Sequence, residues 1–219
     1  MNTDFIEFLA KSGAVKFGEF TLKSGRESPY FISTGVLSTG TSTYELGRHY
    51  AKKIHEVFGT DFTAIYGPAY KGIPLAVSTS VALAKEYGTN KAWIFDRKEK
   101  KIHGDRGAFV GADLDEKAKV VMVDDVMTTG GTKIEAMEKL EKGLKAKVVG
   151  VVISVDRQEL AQRKSAVEEF TDETGIPVHS LTNVKDIFAH LHNREIDGKT
   201  YVDDKIHKAY EEYMKKYGV

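Results

Sequence analysis

An α/β fold with a mainly parallel central sheet flanked by helices is predicted for this 219-residue chain by three observations. Short apolar runs alternate with helical patterns, the order of βαβ units. Two of those runs, residues 120–123 and 148–154, are rich in valine and nearly unbroken, as in strands buried on both faces of a sheet. Between residue 123 and the helical pattern around Ile134 lie two adjacent acids, then threonines and glycines. That is where open α/β sheets carry their ligands.

The elements follow in order. Residues 15–22 and 30–33 read as short strands flanking a turn at residues 23–26. They stand outside the alternation and are expected to form an N-terminal hood, residues 1–40, packed on the core of a single domain, residues 1–219. Leu46, Tyr50, Ile54 and Val57 recur at helical spacing behind the cap-like Ser42 and Thr43. Residues 62–66 and 92–95 are further strands. Between them Pro74 suits a first helical turn ahead of Val77, Val81 and Ala84. Ile134, Met137, Leu140 and Leu144 mark another helix, and Ile206, Tyr210, Tyr213 and Met214 a last one.

Composition narrows the function. Lysine and arginine total 32, aspartate and glutamate 32, so no basic excess points to a nucleic-acid partner. The longest apolar run, residues 148–153, is too short to span a bilayer. There is no cysteine, which excludes disulfides, thiolate metal sites and cysteine nucleophiles. The first residues lack the basic start and apolar stretch of a signal peptide, and a cytoplasmic protein is expected.

The most informative segment runs Asp124-Asp125-Val126-Met127-Thr128-Thr129-Gly130-Gly131-Thr132. Glycines let the backbone approach a phosphate, and a helix N-terminus offers free N–H groups and the positive end of its dipole. Adjacent carboxylates repel a phosphate but suit the hydroxyls of a sugar attached to it, or a divalent ion beside it. A capped turn is the plainer alternative for a lone Gly-Gly. The dinucleotide pattern G-x-G-x-x-G and the Walker pattern are both absent.

This segment resembles the 5-phosphoribosyl-1-diphosphate (PRPP) motif of type I phosphoribosyltransferases. The resemblance implies that fold. It also implies that the whole run from Asp124 to Thr132, Val126 and Met127 included, binds PRPP, with Asp124 and Asp125 meeting the ribose hydroxyls and Thr128 to Thr132 the phosphate.

Three further segments narrow the resemblance to the orotate phosphoribosyltransferase family. Residues 96–107 carry five Lys/Arg, one His and two Gly in an otherwise neutral chain, a run that on an average loop is simply solvated. Their order, Arg97-Lys98-Glu99-x-Lys101-x-His103-Gly104, is similar to that family's catalytic loop. The likeness implies that Arg97, Lys101 and His103 act on diphosphate bound in the partner of a homodimer, and Lys98 within its own subunit. Cations closing over a departing diphosphate would stabilise its growing charge, and His103 would supply a proton. Residues 67–74 resemble the family's diphosphate loop, with Tyr70 and Lys71 as contacts and a non-proline cis peptide implied. Residues 17–32 resemble its hood. There Lys23 reaches the diphosphate side, Phe31 covers the orotate ring, and the backbone of Phe31 and Ile32 hydrogen-bonds it. Ile32 stands where the familiar bacterial pattern has a second Phe.

Arg157 at the end of a strand suits a planar carboxylate, which a guanidinium grips with two parallel hydrogen bonds. An ion pair with Glu159 or Asp156 is the alternative. The family places an orotate-binding arginine there, and the resemblance adds Thr128 to the orotate contacts.

The implied activity is transfer of ribose 5-phosphate from PRPP to orotate. It would give orotidine 5′-monophosphate and pyrophosphate in UMP synthesis, with Mg2+ held mainly through PRPP and no direct protein ligand. A purine-specific relative is disfavoured by the hood and Arg157, since purine bases carry no carboxylate. A PRPP-sensing regulator would need a nucleic-acid-binding domain, and a PRPP synthase subunit an ATP site and a longer chain. Neither nucleic acid nor membrane is an expected partner.

Overall fold

The computed structural model describes residues 1–22, 25–99, 108–128 and 130–219. Lys23, Lys101, His103 and Thr129, each assigned a ligand contact above, lie outside the described residues.

Helix α1 (Thr3–Lys11) is capped by Asn2 and buries Phe5, Ile6 and Leu9, an apolar stripe at helical spacing. It leads into an antiparallel hairpin, β1 (Val15–Thr21) and β2 (Glu27–Ile32). Helix α2 (Gly40–Phe58) starts earlier than Ser42 and Thr43 suggest. Thr39 is its cap and Ser42 closes a capping box, so the hydroxyl read as a cap is its reciprocal partner three residues inside.

Then comes the main alternation. Strand β3 (Ala64–Tyr66) feeds α3 (Gly72–Tyr87), with Pro74 in its first turn, and β4 (Ala92–Asp96) follows. Next are β5 (Phe109–Gly111), β6 (Lys119–Val126), α4 (Gly131–Leu144) and β7 (Lys147–Asp156). Helix α5 (Ala166–Thr174), capped by a Ser165/Glu168 box, precedes β8 (Val178–Asn183) and α6 (Val184–Leu191). A two-residue hairpin, β9 (Glu195–Ile196) with β10 (Lys199–Thr200), leads to the closing helix α7 (Asp204–Tyr217).

Six strands form one sheet in the order β5-β4-β3-β6-β7-β8. Every pairing is parallel except β4 with β5. The predicted mainly parallel sheet is therefore correct, and two edge strands, β5 and β8, are added to it. Alternate residues of β6 divide the interior. Val121 and Val123 join a core with α1, α2, α3, α6 and α7, while Val120 and Met122 join one with α4 and α5. Tyr30 and Ile32 of the hairpin are buried in the first of these cores.

Candidate active site

Four neighbouring parallel strands, β4, β3, β6 and β7, end at one edge of the sheet. The four segments singled out above leave from those ends: Arg97 after β4, Gly67 after β3, Met127 after β6 and Arg157 after β7. A cavity of about 620 Å³ opens there, lined among others by Tyr70, Lys71, Lys98, Asp124 and Thr132. A larger cleft of about 840 Å³ lies between the hairpin and α7. Glu19, Glu27, Asp203 and Glu212 outnumber Lys205 and Lys216 in its lining, a poor setting for a phosphate.

The turn after β3 depends on two glycines in close contact. A Cβ on Gly67 would lie 1.9 Å from the Gly72 carbonyl oxygen, and one on Gly72 would lie 2.6 Å from the Gly67 carbonyl carbon. The peptide between Ala69 and Tyr70 is cis, as the resemblance implies. Tyr70 projects into solvent, 70 % exposed.

The turn after β6 uses Gly130 in the left-handed region (φ 76°), against the Phe170 ring, where an added Cβ would sit 3.2 Å from it. That residue caps α4, and Thr132 in the first turn of the helix lines the cavity. Thr128 is exposed, while Met127 and Gly130 are buried and Val126 and Gly131 half-buried.

Both acids at the end of β6 already have cationic partners. Asp125 is 2 % exposed; its carboxylate accepts from Lys71 Nζ (3.0 Å), Ser154 Oγ (3.2 Å) and the Thr34 N–H (3.3 Å). The Thr34 contact ties the exit of the hood hairpin to this acid. Asp124 accepts from the Asp125 N–H at 2.8 Å and from Lys133 Nζ at 2.6 Å. Lys133, in the first turn of α4 and only 3 % exposed, also donates to the Val126 carbonyl at 2.8 Å. Tyr50 Oη donates to the Asp124 carbonyl. Burial, reinforced by the charges of Asp125 and Asp124, pushes that hydroxyl well above its ordinary pKa and keeps it a donor.

Lys133 is absent from the sequence reading. A lysine directly after the Thr/Gly segment looks like a solvated helix residue, and its inward direction follows only from the placement of α4 beside β6.

Asp96, at the end of β4, is an acid to which sequence reasoning assigns no role. It accepts the Ala69 N–H (2.9 Å) and Lys139 Nζ (2.7 Å). Burial alone would raise its pKa; the Lys139 and Ala69 hydrogen bonds outweigh this and hold it below the ordinary carboxylate range.

Arg157 is buried, and its Nε and Nη2 both donate to Glu159 Oε1, at 3.1 and 2.7 Å. The predicted fork for a ligand carboxylate is thus already in use. Gln158 takes a left-handed conformation (φ 50°), and Glu159 lies back on Arg157 across that turn. Glu159 also accepts from Tyr30 Oη (2.6 Å), Tyr213 Oη (2.8 Å) and Arg26 (3.1 Å). The guanidinium lies 4.9 Å from the Tyr30 ring centroid. Phe31 is 42 % exposed rather than a core aromatic, with its ring 5.9 Å from that of Phe20, while Ile32 is buried.

Comparison with known proteins decides the family. The model of the phosphoribosyl transferase domain family matches residues 37–183. The orotate phosphoribosyltransferase of Lachnoclostridium phytofermentans is 41% identical over 217 residues, covering 99% of this chain and 96% of the relative. This chain belongs to the orotate phosphoribosyltransferase family of type I phosphoribosyltransferases. The Clostridium acetobutylicum orotate phosphoribosyltransferase is 43% identical over 217 residues, covering 99% of this chain and 97% of the relative. In three dimensions the Francisella tularensis orotate phosphoribosyltransferase superposes with a TM-score of 0.82 at 40% identity, over 98% of this chain and 96% of the other. The fold is accordingly the type I phosphoribosyltransferase fold. No helix among the described residues is long and apolar enough to cross a membrane.

Proposed function

We propose that this site transfers the 5-phosphoribosyl group of PRPP to orotate, giving orotidine 5′-monophosphate and pyrophosphate. The observation that carries the reading is the shared sheet edge. The segments that the resemblance reads as phosphate cradle, sugar-facing acids, diphosphate loop and orotate arginine all leave the ends of adjacent strands there.

In this reading the 5-phosphate sits on the first turn of α4, with Thr128, Thr129, Gly130, Gly131 and Thr132 around it. The ribose hydroxyls face Asp124 and Asp125. Lys71, 55 % exposed at its side chain, is the movable partner of Asp125 and turns from it toward the diphosphate with Tyr70 and Lys98. Lys23, Arg97, Lys101 and His103 complete the diphosphate contacts, His103 giving its proton to a departing oxygen. The bond between the anomeric carbon and the diphosphate oxygen breaks, and a bond to the orotate ring nitrogen forms as that nitrogen releases its proton to solvent. Positive charge on the ribose ring is offset by Asp124 and Asp125. Orotate lies under Phe31, beside the backbone of Ile32 and near Thr128, its carboxylate directed to Arg157.

Mg2+ fits this site as a companion of the substrate. Magnesium favours phosphate oxygens and water over all-protein cages, and Asp124 and Asp125 already hold lysines. Bound to the diphosphate, it would neutralise charge on the leaving group. The working unit is proposed to be a homodimer in which Arg97, Lys101 and His103 serve the partner's site.

The test is a spectrophotometric assay of orotate consumption. Loss of orotate should require both PRPP and a divalent ion, and adenine, hypoxanthine and uracil should be poor acceptors. Turnover of one of those bases without turnover of orotate would remove the assignment.

A further inference from the structure

Asp96 and Lys139 both line the 620 Å³ cavity, yet the sequence assigns neither a role: Asp96 opens the basic segment without a contact of its own, and Lys139 lies on α4 beyond the Thr/Gly turn. The two oxygens of Asp96 have different partners. Oδ1 accepts the Ala69 N–H of the diphosphate loop at 2.9 Å, and Oδ2 accepts Lys139 Nζ at 2.7 Å. Lys139 Nζ donates in addition to the carbonyl of Arg97, the first residue beyond β4. Lys139 lies on α4 seven residues, about two turns, after Thr132, so both face the same cavity. One carboxylate and one ammonium thereby tie together three segments. These are the diphosphate loop, the root of the basic segment, and the helix whose N-terminus carries the phosphate cradle.

We infer that Asp96 and Lys139 form a positioning pair that holds the diphosphate loop and the root of the basic segment against α4. It thereby sets affinity for the diphosphate end of PRPP. The inference rests on the proposed reaction for its ligand. The physical reason is fixed spacing. A substrate with phosphates at both ends is held well only if both cradles keep their separation before it arrives. Asp96 has 8 % of its side chain exposed, so the two donors offset much of the cost of burying its charge. Lys139, about one-third exposed, can be replaced without opening the core.

The experiment compares Lys139→Met, Lys139→Arg, Asp96→Asn and the double variant Asp96→Asn/Lys139→Met with the wild type. Pyrophosphate binding is followed by calorimetry, and KM is measured for PRPP and orotate separately. Lys139→Met should weaken pyrophosphate binding and raise the PRPP KM about tenfold, less than the roughly hundredfold that an ångström of misplacement can cost. Its orotate KM should stay within about twofold, the range of an uncoupled contact. Lys139→Arg, which keeps the charge and reach, should recover most of the loss. The double variant should bind pyrophosphate better than Lys139→Met alone. The amide oxygen that Asp96→Asn introduces still accepts the Ala69 N–H, and no buried carboxylate is left without a counter-ion.

Pyrophosphate binding unchanged in Lys139→Met would overturn the inference, as would equal losses for PRPP and orotate. Should Lys139→Met fail to fold, Lys139→Gln provides the same comparison. A wild type that binds pyrophosphate and PRPP but leaves orotate untouched would remove the acceptor assignment alone, since the pyrophosphate data still decide the pair. A wild type that binds neither would overturn both.

Discussion

At the scale of single residues, the site is a set of buried charges each held by a specific opposite charge. Lys133 shows the cost of that arrangement most clearly. A cation in the first turn of a helix opposes the helix dipole, and here it is also buried, so only its contacts with Asp124 and the Val126 carbonyl keep it there. Lys133→Met should destabilise the fold by about 3 kcal/mol, as removal of one partner of a buried pair does, and denaturant unfolding measures this. Arg157 makes a different prediction. Arg157→Ala should raise the orotate KM about 30-fold, the equivalent of about 2 kcal/mol for a charged contact, with the PRPP KM nearly unmoved. Equal losses for both substrates would reduce Arg157 to a structural partner of Glu159. The arginine was legible in the sequence because a guanidinium at a strand end suits a planar carboxylate and the family resemblance places one there. Its pairing with Glu159 stood there only as one of two alternatives, and the sequence could not choose Glu159 over Asp156 because nothing in the order of residues says that Gln158 turns left-handed.

At the scale of elements, legibility follows burial. The central strands β6 and β7 announce themselves through valine and isoleucine, because nearly all their residues are covered, while β3 and β4 show only as shorter apolar runs. Strand β8 has polar His179, Ser180 and Thr182 among its residues, and β5 has only three residues; edge strands need less apolar surface, and both escape a reading by apolar runs. The α1–α2 contact carries a pH dependence that the same burial explains. His49 on α2 lies 4.8 Å from the Phe5 ring and 5.6 Å from the Phe8 ring. Burial lowers its pKa below 6.5, only partly offset by Glu45. The unfolded chain therefore binds a proton here more readily than the folded one, and stability falls as pH drops through about 6.5 toward the folded pKa. Thermal midpoints of the wild type should decline as the pH is lowered through that window. His49→Phe should flatten part of that decline. An unchanged slope in the variant would assign the effect to other groups, His179 first, whose pKa burial also lowers.

At the scale of the whole molecule, the proposed homodimer divides each site between two chains. The cations of the basic segment are assigned by resemblance to a neighbouring subunit's site, while Asp124 and Asp125 belong to the chain's own. Two substitutions separate these roles. Lys101→Ala spoils what a subunit donates, and Asp125→Asn spoils the site it keeps. Each homodimer should be nearly inactive. In a mixed dimer, the Lys101→Ala subunit retains an intact ribose site and receives an intact basic segment from the Asp125→Asn subunit, while the other site has both defects. Random exchange between equal amounts makes about half the dimers mixed, so about a quarter of all sites should recover. Were the segment to act within its own chain, no mixed dimer would contain an intact site. The measurement is orotate turnover after subunit exchange, which mass-tagged chains establish independently. Exchange without recovered activity would reject shared sites and leave the reaction itself standing.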